Sequence, residues 1–109
     1  MRRIRGYSKG HSYYPGRRFD DVNHEWIAVK IDGAWRLIDP TWGAGLIEKG
    51  RFVKKFDGTY FLTPPDYFLF DHLPAEPAWQ LVRKKIDLSE FEDQPYPGRP
   101  LLRAFYNLG

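Results

Sequence analysis

The chain has no cysteine. That excludes disulfides and thiolate metal centres as stabilisers. It also excludes a thiol nucleophile within these 109 residues. No apolar run approaches the ~20 residues of a membrane span. Arg2, Arg3 and Arg5 are not followed by the apolar stretch of a secretion signal. There is no internal repeat. Net charge is small, +3, but uneven, with Arg2, Arg3, Arg5, Lys9, Arg17 and Arg18 crowding the first eighteen residues. This reads as a solvated basic end, with an anionic partner as the sharper alternative. Against these absences stand 42% apolar and 17% aromatic residues. Such a composition folds, and the length suits one small domain with a limited core.

The stretch that organises the chain runs from Asn23 to Gly45. Two runs rich in Val, Ile and Trp flank Asp32-Gly33, the signal for a two-residue type I′ turn. With that turn, Ile31 faces Ala34, Val29 faces Arg36, Ile27 faces Ile38, and Trp26 falls opposite Asp39. Alternation then gathers His24, Trp26, Ala28, Lys30, Trp35, Leu37, Asp39 and Thr41 on one face. His24 and Asp39 become diagonal neighbours on that face. A carboxylate so placed holds one ring nitrogen of an imidazole and leaves the other as a base. Asp39 before Pro40 also carries a turn-starting signal, and both uses are compatible.

These residues carry a resemblance. His24-x-Trp26-x-x-Val29, Asp32-Gly33-x-Trp35 and Asp39-x-Thr41-Trp42-Gly43 resemble the His and Asp strands of the transglutaminase-like superfamily of Cys-His-Asp enzymes. Gly6-Tyr7-Ser8-Lys9-Gly10, Phe61-Leu62-Thr63-Pro64-Pro65 and Asp71-His72-Leu73-Pro74 narrow it to the kyphoscoliosis-peptidase-like branch, cytoskeleton-associated proteins regarded as cysteine peptidases. The resemblance implies an α+β, predominantly β fold: the antiparallel sheet of a transglutaminase-like, papain-like core with short helical turns. It implies that residues 1–45 are the C-terminal part of that core and that 46–109 form a β-rich extension, Pro- and Gly-rich from about residue 95. It makes His24 the general base and Asp39 its orienting carboxylate. The family's nucleophilic Cys lies on a helix upstream of the Gly6–Gly10 segment, and this chain lacks it. The implied function is therefore a partial cysteine-peptidase-like or transglutaminase-like domain, not catalytic by itself, with a non-catalytic, cytoskeleton-associated scaffold as the alternative. Expected partners are a protein substrate or a cytoskeletal protein, in the cytoplasm. No cofactor, metal, membrane or nucleic acid is expected. Trp26 and Leu37 would normally pack against the missing helix, so an exposed apolar patch is expected on the His face.

The other segments read more weakly. Ile4 centres a short strand, and Gly6 and Gly10 supply positive φ or close approach. Tyr7, Tyr13, Tyr14 and Phe19 read as packing rather than base-stacking residues. His11 reads as a surface loop residue. Lys49-Gly50 marks a turn, and Asp57-Gly58 a second hairpin between Phe52–Phe56 and Thr59–Leu62. Thr63 reads as a cap for a helical turn over Asp66–Phe70 with Pro in its first turn. His72 reads as a structural anchor for a turn before Leu73-Pro74, because no other ligand stands at metal-binding spacing. Trp79–Val82 reads as a strand, Asp87-Leu88-Ser89-Glu90 as a capping box opening a helical turn through Glu92, and Leu101–Leu108 as a terminal strand.

Overall fold

Arg2–Ser8 (β1), His24–Ile31 (β2), Ala34–Ile38 (β3) and His72–Pro74 (β6) make an antiparallel sheet in the order β3-β2-β1-β6. This is a computed structural model, and it describes residues 1–10, 13–54 and 61–94. Between β3 and β6 come a short helix, Pro40–Ala44 (α1), a two-stranded hairpin, Gly45–Glu48 (β4) with Arg51–Lys54 (β5), and the helical turn Pro65–Phe68 (α2). A 3-10 turn, Pro77–Gln80, and the helix Leu88–Asp93 (α3) follow β6. The described residues are thus mainly β with short helices.

The central hairpin has the expected register, from Ile31 opposite Ala34 to Ile27 opposite Ile38. Asp32 and Gly33 both take positive φ, as a type I′ turn requires. Lys49 and Gly50 do the same between β4 and β5. The Asp57-Gly58 turn, the Leu101–Leu108 strand and His11 lie outside the described residues.

Gly6 sits opposite His24 on one side and Pro74 on the other. Its φ is not positive, so the need is space. A Cβ there would stand 2.2 Å from the Leu73 carbonyl oxygen and 2.5 Å from the Trp26 ring. Gly6→Ala is therefore expected to cost about 1–3 kcal/mol or more, because backbone rather than a pliable side chain must yield. Urea unfolding checks it; a midpoint equal to that of the parent protein would contradict this packing.

One face of the sheet buries Ile4, Trp26, Ala28 and Leu37 with Trp42 and Phe68, and Trp35, Trp79 and Leu81 pack against them. The exposed patch expected at Trp26 and Leu37 is not there. Both are buried, 1% and 2% exposed, under residues supplied by α1, α2 and the 3-10 turn. The other face buries Phe19, Leu73 and Phe91, with Tyr7 and Tyr13 against them. Tyr7, Tyr13 and Phe19 therefore pack as expected, while Tyr14 is exposed.

Three local expectations are corrected. Trp79–Val82 is not a strand. Pro77 fixes the first residue of a 3-10 turn, Trp79 N–H donates back to Glu76, and Leu81 ends the turn with φ +59°. Thr63 does not take the N-cap position of α2, which falls on Pro64. The Thr63 N–H and carbonyl both pair with Leu37, extending the β3 edge, and Pro64 offers no side-chain acceptor. The α2 turn itself runs Pro65–Phe68, starting one residue before the expected Asp66 and stopping two short of Phe70. The capping box of α3 is present, with Asp87 accepting from Glu90 N–H and Glu90 accepting from Asp87 N–H.

Candidate functional site

Asn23 sets the start of β2. Its side-chain amide exchanges hydrogen bonds with Ser8 N–H and carbonyl, at 2.8 and 3.1 Å, as a strand residue would. His24 then points onto the buried face opposite Gly6. Asp39 follows β3 directly and precedes α1. Its Oδ1 accepts from Trp42 N–H at 3.0 Å, which caps that helix. Its Oδ2 accepts from His24 Nε2 at 2.5 Å. The two uses of Asp39 anticipated from the sequence coexist, one on each oxygen.

The same Oδ2 also meets His72 Nε2 at 2.7 Å. His72 lies on β6, opposite Ser8. It is a strand residue, not the turn anchor expected, and it is a third member of the cluster that the sequence reading missed. Strands β2 and β6 are separated by β1, so their backbones stand about 10 Å apart. Side chains close that gap over Gly6: the two imidazole centroids are 5.7 Å apart, with Asp39 between them. Asp71-His72 was visible as a pair of chemically capable residues. What the sequence lacked was any local signal that β6 pairs with β1.

The environment is aromatic and dry. The His72 ring stacks on Phe68 at 3.9 Å, and Trp42 and the edge of Trp26 close in at 4.4 and 4.9 Å. His72 and Asp39 are completely buried, whereas the His24 side chain keeps 16% of its surface. Burial works against the Asp39 anion, but hydrogen bonds from His24 and His72 outweigh it and hold its carboxyl well below the usual range. Burial likewise works against a charged His72, but Asp71 and Asp39 outweigh it and hold the ring above its ordinary value. Because Asp39 is the ionised acceptor, His24 carries its proton on Nε2. Among the described residues, His24 Nδ1 makes no hydrogen bond.

Behind the cluster, His72 Nδ1 meets Asp71 at 2.6 Å. Asp71 feels the charge of Lys9, which is wholly buried at the end of β1. Lys9 Nζ donates to the Phe91 and Gln94 carbonyls at the C-terminal end of α3, at 2.6 and 2.8 Å. Desolvation lowers the Lys9 pKa, with Asp71 opposing. In the sequence Lys9 counted as one more solvated base. Lys9→Met is expected to cost about 1–3 kcal/mol, the penalty for leaving buried acceptors unmet. Faster amide exchange in α3 would report it; unchanged exchange would contradict the tie.

His24, Asp39 and His72 also offer donor atoms within 4.8 Å of one another, near enough to hold a metal. The observed pair spacings, 2.5 and 2.7 Å, are those of hydrogen bonds. Two donors on a tetrahedral ion with ~2.0 Å bonds stand about 3.3 Å apart. His72, moreover, is wholly buried. The arrangement fits a proton-holding cluster.

No family model matches the chain. It is 38% identical over 109 residues to kyphoscoliosis peptidase of Mus musculus and of Homo sapiens, covering 97% of this chain and 16% of each relative. It is 36% identical to hillarin of Drosophila melanogaster, over 85% of this chain and 13% of the relative. It is 33% identical to the Lim and transglutaminase domain protein ltd-1 of Caenorhabditis elegans, over 85% of this chain and 15% of that protein. The chain thus spans about one sixth or less of the length of these relatives. Over the segment they share, the chain is similar to the kyphoscoliosis-peptidase-like proteins.

Proposed function

We propose that this segment is the His–Asp half of a transglutaminase-like Cys-His-Asp site, completed by a thiol upstream of Gly6 in a longer protein. The observation that carries the reading is His24, held by Asp39 through Nε2 with Nδ1 unengaged and the ring partly open to solvent. The relatives' names, which include a peptidase and a transglutaminase domain protein, support the same class. In this reading residues 1–45 belong to a papain-like core and 46–109 extend it. The cysteine Sγ transfers its proton to His24 Nδ1 and attacks a peptide or glutamine carbonyl carbon. His24 returns the proton to the departing amine or ammonia, and a thioester remains. Water or an acceptor amine then cleaves the thioester. Asp39 keeps the imidazole in the required tautomer throughout. The site acts on a protein, in the cytoplasm and in association with the cytoskeleton.

A second reading is a protein-binding scaffold for a cytoskeletal partner, favoured by the absence of Cys from these 109 residues. Intact mass and peptide mapping of the endogenous protein separate the two. A heavier species with a Cys-containing peptide upstream of Gly6, and a thioester that disappears in His24→Ala, supports the enzyme. A protein whose full sequence has no Cys supports the scaffold and overturns the enzyme.

A further inference from the structure

Asp39 Oδ2 serves two histidines, and one of them never meets solvent. Resting on the acyl-transfer reading, we propose that His72 is a positioning residue for His24: a buried imidazolium, clamped between Asp71 and Asp39, that fixes the Asp39 carboxylate so that His24 holds its proton on Nε2 and presents Nδ1.

Each ring nitrogen of His72 faces a carboxylate. Nδ1 faces Asp71 at 2.6 Å and Nε2 faces Asp39 at 2.7 Å. A neutral ring has one N–H, so its other nitrogen would aim a lone pair at a carboxylate oxygen. Only the doubly protonated ring donates to both. Phe68, Trp42 and Trp26 enclose this cation and keep water from replacing either carboxylate. Trp42 N–H holds Oδ1 of Asp39 and His72 holds Oδ2, which fixes the carboxylate plane. The remaining acceptor direction on Oδ2 is where His24 sits. The groups facing His72 complete an alternating row of Lys9, Asp71, His72, Asp39 and His24, drawn from the residue after β1, the turn before β6, β6, the β3–α1 junction and β2. Lys9 and His72 together balance the two carboxylates, so no net surplus of negative charge stands next to His24.

Long-range 1H–15N spectra of the folded chain test this directly. In the parent protein both His72 ring nitrogens should be protonated at neutral pH, and neutral His24 should be the Nε2–H tautomer. His72→Phe keeps the ring packing but removes both donors. In it, the Nδ1–H share of neutral His24 should rise several-fold. His72→Gln, which keeps one N–H donor for Asp39, should bring that share back toward the parent value. A merely structural His72 would not move this ratio in a variant whose backbone spectrum is native. One unprotonated nitrogen on His72 at neutral pH would overturn the proposal. So would a folded His72→Phe protein with the parent tautomer ratio. If His72→Phe does not fold, the parent spectrum alone decides. None of these readouts needs a thiol, so failure of the acyl-transfer reading shows separately, as a longer protein that forms no His24-dependent thioester.

Discussion

Asp39→Ala lowers the stability of the chain by about 3–5 kcal/mol, the usual result of removing one partner from a buried charged network. The carboxylate is wholly buried and accepts from three donors: His24, His72 and Trp42 N–H. Truncation takes one of its two carboxylates from a buried imidazolium, and uncaps α1. A small domain has about 5–15 kcal/mol in total, so much of the fold's margin goes with this one side chain. Urea unfolding should show the midpoint falling by more than about 1 M. Two controls keep the effect specific. Asp20 is exposed, and Asp20→Ala should stay within about 0.5 kcal/mol of the parent. His24 is partly open, and Asp39 keeps two donors without it, so His24→Ala should cost about 1 kcal/mol. A ranking in which His24→Ala costs as much as Asp39→Ala would place the hub elsewhere.

Stability should also peak in mildly acid solution and fall as pH passes neutrality. Asp39 is depressed in the folded state. Its contribution is fully present above the unfolded carboxylate value of ~3.9 and is lost as pH falls through the folded value. His72 is raised in the folded state. Its contribution is fully present below the unfolded imidazole value of ~6.5 and is lost as pH rises through the folded value. Both terms are complete only between roughly pH 4 and 6.5. Lys9 has the opposite sign to His72, since burial lowers it. It restores stability only as pH rises from its folded value to ~10.4. Urea midpoints at acid, neutral and mildly alkaline pH should therefore decline from the first to the second. His72→Phe should flatten that decline. A parent protein more stable at pH 8 than at pH 5.5 would contradict a charged, buried His72.

Local chemistry in the sequence was enough for the central hairpin. Asp32-Gly33 admits one turn type, and alternation from it puts His24 and Asp39 on one face. The capping box at Asp87 is equally local. The family resemblance named the same two residues. What local chemistry does not carry is the pairing of β6 with β1 across more than sixty residues, which delivers His72 to Asp39. Without that pairing, His72 reads as a turn residue. The cover over Trp26 and Leu37 was missed for the same reason: Phe68, Trp79 and Leu81 come from distant segments whose own patterns are short and broken by proline. Lys9 was unreadable because a lysine is buried only where carbonyls converge on it, and those carbonyls belong to α3.

The most direct test of a His–Asp half-site is the pH dependence of thiol alkylation in the longer endogenous protein. With His24 oriented by Asp39, a cysteine upstream of Gly6 should react with iodoacetamide as a thiolate well below pH 8.5, the ordinary thiol range. In His24→Ala that low-pH reactivity should disappear while the fold persists. The same profile in parent and His24→Ala proteins, or no cysteine to label, would contradict the account.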